Sequence, residues 1–191
     1  MKRMIAAGLF ASLAATQVQA ADDAATCQSP SFSDVGWTDI SATTATAAKV
    51  LEGLGYSPDV SVLSVAVTFE SLKQGDTDIF LGNWMPLQEP VATPLIESGQ
   101  IEVPRVNLEG ALIGFAVPKS TFDAGLKTYA DIAKFKDQLG GQIYGIEAGS
   151  SANTTILEMI DTDKFGLSAF ELVESSEQGM LAQVDRAINS Q

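Results

Sequence analysis

The chain is 191 residues long and carries 24 acidic against 11 basic side chains, a net charge of −13, which argues against nucleic acid or an anionic membrane face as a partner. With no histidine and a single cysteine, a zinc, copper or haem site has almost nothing to build on, and a Ser-His-Asp or Cys-His catalytic unit cannot exist. Carboxylate or lysine chemistry remains open.

The first stretch reads as an address. Lys2 and Arg3 form a short basic region, residues 4–15 are apolar apart from Gly8 and Ser12, and Val18-Gln19-Ala20 closes with small residues of the kind a signal peptidase reads. The apolar run is too short to span a bilayer. Residues 1–20 are therefore expected to be a signal peptide cleaved near Ala20, leaving an exported chain that starts near Ala21. Losing Lys2 and Arg3 from the 11 basic residues takes the net charge two units lower, from −13 to −15. Cys27 lies beyond the acidic pair Asp22-Asp23, so a lipid anchor there does not fit. In an oxidising compartment a lone thiol is either missing a partner or simply unpaired.

From there strand and helix alternate. Residues 32–36 are a short extended run. Residues 41–54 are rich in Ala and Thr, with Val50, Leu51 and Leu54 spaced for a helix that Gly55 stops and that Asp39 or Ser41 can cap. The β-branched run 60–67 predicts a buried strand. A short helix over 68–74 ends at Gly75, and a strand over 78–82 leads to Trp84. Residues 87–98 read as a helix that Pro90 and Pro94 should kink or shorten. Residues 101–106 are extended, interrupted by Pro104. Leu108-Glu109-Gly110 opens a new block. A strongly apolar strand is expected over 111–117, closed by Pro118, then an amphipathic helix over 128–139 with Tyr129, Ile132, Phe135 and Leu139 on one side. Gly140-Gly141 ends it. A strand over 142–146, a turn through Glu147-Ala148-Gly149-Ser150-Ser151 and a helix over 152–160 follow. A strand over 170–173 and a helix over 175–189, capped by Ser175 or Ser176, complete the pattern. The βαβ rhythm predicts a mostly parallel sheet with helices on its faces, and the natural break falls near residues 108–112.

The two tryptophans stand out, Trp37 and Trp84. Each sits where a strand-like run gives way to a turn or helix start. In open α/β sheets that rim is where ligands bind, and an indole face there is a good platform for a small organic cation. Core residues at sheet ends would be placed the same way.

Val35-Gly36-Trp37-Thr38-Asp39, Phe80-Leu81-Gly82-Asn83-Trp84-Met85-Pro86, Asn107-Leu108-Glu109-Gly110-Ala111 and Gly145-Ile146-Glu147-Ala148-Gly149 together resemble the periplasmic substrate-binding proteins of quaternary-amine ABC importers. The likeness is greatest to the choline-binding branch among the glycine betaine/choline proteins. It covers nearly all of the chain after the signal peptide.

The resemblance implies a type II periplasmic-binding-protein clamshell of two α/β lobes, residues 21–110 and 111–191, with the ligand between them. It implies no enzyme activity, no cofactor and no metal. Its partners would be a small quaternary-ammonium ligand such as choline or glycine betaine and an ABC transporter permease, with no membrane insertion and a monomeric state. A quaternary ammonium has no N–H to donate, so π-faces meet its diffuse charge best, each worth about 1–2 kcal/mol once dry. Several faces together can support micromolar binding, about 8 kcal/mol. By position, Trp37 and Trp84 would be cage walls. Asp39 would accept a hydrogen bond from a ligand hydroxyl or add negative charge, unless it is only a helix cap. The turn Gly149-Ser150-Ser151 could hold an anionic or hydroxyl tail at a helix start. Ser150 falls where the choline branch places an asparagine; Asn153 is either its substitute or a first-turn residue. Ile113 stands where the family often supplies a cage tyrosine, with Phe115 on the same strand face by alternation.

Family members are also roughly half as long again, as two full domains require. The resemblance therefore implies a chain truncated at its C-terminus, with the second lobe and the return crossing incomplete, another cage tryptophan missing, Cys27 parted from a disulfide partner, and weak binding or none. Two other classes are compatible with such a fold. An exported enzyme would need a paired acid and base, and Glu109 and Glu147 have no evident partner, reading more simply as interlobe connection and strand-end turn. A ligand-sensing module of a receptor would need a fused transmembrane or signalling segment. The ligand itself stays open among choline, glycine betaine, other betaines, acetylcholine and carnitine.

Overall fold

A computed structural model describes residues 27–189 of the chain. The signal peptide expected over 1–20, its cleavage near Ala20 and the chain end at Gln191 lie outside the described residues.

The alternation of strand and helix produces two parallel sheets. In the first, β1 (Ser31–Asp34) lies between β2 (Asp59–Val62) and β3 (Ile79–Phe80), with Ser31 opposite Asp59 and Phe32 opposite Ile79. In the second, β4 (Gln142–Tyr144) pairs with β5 (Glu171–Val173). Parallel strands need a crossover between them, and helices supply it. α1 (Thr38–Gly53) links β1 to β2, and α2 (Val65–Gln74) links β2 to β3. α5 (Ser151–Asp161) lies between β4 and β5, and α6 (Glu177–Asn189) follows. α3 (Glu89–Glu97) and the short α4 (Lys119–Asp123) stand in the connection between the sheets.

Each sheet has its own core. Val35, Ile40, Val65, Phe69 and Ala92 form one cluster; Leu126, Ile132, Leu167 and Phe170 form the other. No residue is shared, so the molecule has two halves. The connecting segment after α3 turns at Gly110, whose φ of +73° is open to glycine without strain. No helix among the described residues is long and apolar enough to cross a membrane.

Several expectations need correction. The run 60–67 is not one buried strand. Ser64 interrupts it, accepting a bond from the Val67 N–H as the N-cap of α2. β2 is also an edge strand, and its Val60 and Val62 are exposed. α1 begins three residues early, with Trp37 as its N-cap and no side-chain cap of its own, so neither Asp39 nor Ser41 caps it. The run 111–117 forms no strand. Apolar composition promises burial, but a strand also needs a neighbour for its N–H and C=O groups, and Leu112 is 94% exposed. The run 101–106 likewise forms no strand, and Pro104 offers no donor.

The amphipathic stretch 128–139 is a 3-10 helix over Tyr129–Phe135. Tyr129, Ile132 and Phe135 recur every third residue, which fits three residues per turn better than 3.6. A capping box between Thr128 and Asp131 starts it. α3 is shortened at its proline-rich start, as expected, and keeps Pro90 in the first turn, where a missing donor is harmless.

Candidate functional site

The end of β1 fixes the first wall. The Asp34 carboxylate accepts a bond from the Gly36 N–H at 2.8 Å, and Gly36 takes φ +80° to turn the chain. That turn delivers Trp37 to the start of α1 as a half-buried residue packed partly against the first core. The core reading of Trp37 is thus half right: the indole leans on the core and also faces a cavity.

The loop after β3 carries the second wall. Gln88, 1% exposed, grips the backbone of Trp84 twice: its side-chain Oε1 accepts the Trp84 N–H at 3.2 Å, and its own N–H donates to the Trp84 carbonyl at 2.8 Å. The Met85–Pro86 peptide within this loop is cis. Below it, Gly82 has no room for a side chain, since a Cβ would stand 2.8 Å from the Phe80 ring.

The opposite side comes from the second half. Asn153 is 1% exposed and ties the turn after β4 together. Its Oδ1 accepts the Ile146 N–H at 3.1 Å, and its Nδ2 donates to the Ile146 carbonyl at 2.8 Å, the Glu147 carbonyl at 3.2 Å and Glu174 Oε1 at 2.9 Å. It stands in the first turn of α5, as one of the two sequence readings had it, and acts as a strut for the turn. Ser150 is the N-cap of α5, its hydroxyl oxygen accepting the Asn153 N–H at 3.2 Å.

These parts meet around a cavity of about 170 Å³. Trp37, Asp39, Trp84, Ser150 and Ser151 all line it. Gly149 does not; it is exposed, and its φ of +79° shapes the turn that brings the serines into place. Ile113, at the position considered for a tyrosine, lines the cavity although it is not in a strand, whereas Phe115 does not. Phe115 packs instead against the second core.

The lining carries two carboxylates, Asp39 and Glu177, and no lysine or arginine. Three helix starts border it, those of α1, α5 and α6. Such ends are partly positive. Asp39 and Glu177 offset this in the first turns of α1 and α6; α5 has no acid in its first turn, leaving N–H groups near Ser151 suited to an oxygen. Glu177 also reaches across the halves, its Oε2 accepting the Thr38 N–H at 2.7 Å. It thereby caps α1 from outside, while Ser176 caps α6. The arrangement suits a small cation with an apolar body and one polar end. Three or more metal-ligating side chains do not come together among the described residues. Cys27 is a free, exposed thiol.

Sequence reasoning missed Glu147, Gln88 and Glu177. Glu147 read as a simple turn residue, but its two carboxylate oxygens each accept the Trp37 indole N–H at 3.1 Å. Only the even i, i+4 relation of Trp84 to Gln88 carried any local hint.

Residues 31–191 match the family described as the substrate binding domain of the ABC-type glycine betaine transport system, OpuAC. An uncharacterised protein ORF1 from Chromohalobacter salexigens is 46% identical over 130 residues, covering 68% of this chain and 84% of that one. Among solved structures, an ABC-transporter choline binding protein in complex with choline is 50% identical with a TM-score of 0.78. An unliganded, semi-closed ABC-transporter choline binding protein is 53% identical with a TM-score of 0.77. Each match covers 86% of this chain and 57% of the solved one, so the chain spans less than two thirds of these solved relatives.

Proposed function

Because this chain belongs to the family of substrate-binding domains of ABC-type glycine betaine transport systems, we propose that it is the extracytoplasmic solute-binding component of an ABC importer, taking choline or a betaine between Trp37 and Trp84. Its architecture is the α/β fold of the type II periplasmic binding proteins. We read residues 21–110 and 111–191 as its two lobes, residues 1–20 as the export signal, the periplasm as its compartment and a permease as its partner.

One observation carries the reading. Two indoles delivered by separate loops, the only tryptophans in the chain, line one cavity that also holds two carboxylates and no basic side chain. A quaternary nitrogen has no N–H to donate, so it is recognised by π-faces and by negative charge nearby. Asp39 and the Ser150–Ser151 turn are the polar groups that would meet a hydroxyl or carboxylate tail. The two choline-binding relatives support choline as the first ligand to try.

Isothermal titration of the chain with choline and with glycine betaine tests this. Weak but saturable, reversible heat in the micromolar to millimolar range, with a matching tryptophan-fluorescence change, is expected for at least one of them. No response to either up to millimolar concentration would sink the proposal, and turnover of the ligand would replace it with an enzyme.

A further inference from the structure

The bond between Trp37 and Glu147 joins residues 110 apart in sequence, one from each half of the chain. Trp37 stands on the loop from β1 into α1; Glu147 stands on the turn between β4 and α5. Glu147 does not line the cavity; its side chain meets the site at the indole N–H. The turn presenting it is tied by hydrogen bonds. Its carbonyl accepts from Asn153 Nδ2 at 3.2 Å and from the Ser150 N–H at 3.2 Å. Two more bonds link the same loop to the second half: Thr38 N–H to Glu177 Oε2 at 2.7 Å, and Gln178 Nε2 to the Gly36 carbonyl at 2.9 Å.

An indole needs an acceptor for its N–H once it is drawn out of water, and a charged acceptor makes the stronger bond. A carboxylate behind the N–H edge also pushes electron density into the ring, which makes its face a better seat for a cation. We propose that Glu147 is a positioning residue for Trp37: the indole leans on the first core, and the Glu147 carboxylate, presented from the second half, fixes its plane, so this cavity wall takes its full orientation where the two halves meet. Grip on a ligand and approach of the halves are then one event. The binding consequence rests on the function proposed above; the indole contact itself does not.

The test uses the isotope-labelled full chain, whose two indole N–H signals are assigned with Trp84→Phe. In Glu147→Ala the Trp37 signal moves upfield and exchanges faster with solvent, while the Trp84 signal stays. Glu147→Gln, which keeps an oxygen acceptor, restores most of the shift. Choline affinity falls about tenfold in Glu147→Ala, the scale of a lost bond to a charged group, and falls no further when Glu147→Ala is added to Trp37→Phe, which has no N–H to hold. An unmoved Trp37 signal, equal movement of both indoles, or full choline affinity in Glu147→Ala would overturn the proposal. The spectra need no ligand, so a chain that fails to bind choline sinks the functional reading and leaves this contact to be judged on its own signal.

Discussion

Trp84→Ala is the most direct probe of the cavity, because the loop that carries Trp84 does not depend on its side chain. Gln88 holds the backbone of residue 84 through bonds at 3.2 and 2.8 Å that alanine can make equally well. The substitution should therefore remove a wall and leave the loop in place. The loss is one π-face, about 1–2 kcal/mol for a desolvated cation, plus about 1 kcal/mol for some 40 Å² of apolar contact. Together these predict choline binding roughly 30- to 150-fold weaker. Trp84→Phe, which keeps a π-face, should recover affinity to within about tenfold of the parent. Calorimetry reads both, with Trp37 as a remaining fluorescent reporter. The neutral carbon isostere of choline, with a quaternary carbon in place of nitrogen, separates the two contributions: it should lose only the apolar part. A loss below about threefold for choline would refute the cage. An equal loss for choline and the isostere would show that Trp84 acts as apolar surface alone.

Three further outcomes follow from the same geometry. Asp39→Asn should weaken choline several-fold and glycine betaine less, because the carboxylate of betaine is itself repelled by Asp39 and Glu177 in a lining without basic residues; parallel titrations at low and high salt check this, and identical changes for both ligands would contradict it. Asn153→Ala should destabilise the chain by roughly 2–4 kcal/mol in urea unfolding, since four buried or half-buried bonds go with the side chain and leave backbone groups unpaired. Asp131 is held well below its ordinary value of 3.8 by Lys134 and then by the Thr128 hydroxyl and backbone. A depressed folded-state value means its contribution is complete above the unfolded value and is lost as the pH falls through the folded one. A carboxyl-carbon titration should find it still charged at about pH 3, and Asp131→Asn should flatten the acid limb of stability while changing nothing in the pH dependence near neutrality.

The parallel pairing was legible in the sequence because each strand is followed by a helix that Gly or Ser punctuates, and parallel strands require such a crossover. Errors arose where apolar composition stood in for pairing. Residues 60–67 and 111–117 look alike as apolar runs, yet one is cut by a capping serine and the other has no neighbour strand among the described residues. Composition reports what a segment would bury, whereas a ladder depends on what lies beside it. The 3-10 helix over Tyr129–Phe135 is an error of period: four apolar positions over twelve residues fit both spacings, and the capping box that starts it is common to both.

The site divides along the same line. Trp37, Asp39, Trp84 and Ser150 could be singled out because each sits beside its own strand end or helix start, and local sequence marks such places. Glu147 could not, since its role is set by a partner 110 residues away. A rim position tells where an indole is, but its usefulness to a cation depends on which way the ring faces. That direction is a property of the contact between halves: Glu147 on the Trp37 N–H, Glu177 on the start of α1, Gln178 on the Gly36 carbonyl. All three bind the short loop 36–38; Glu147 comes from the turn after β4, Glu177 and Gln178 from the first turn of α6. The loop that bears the first wall is thus held from both halves, by Asp34 and the first core on its own side and by Glu147, Glu177 and Gln178 on the other, which is why removing a carboxylate outside the cavity should be felt by a ligand inside it.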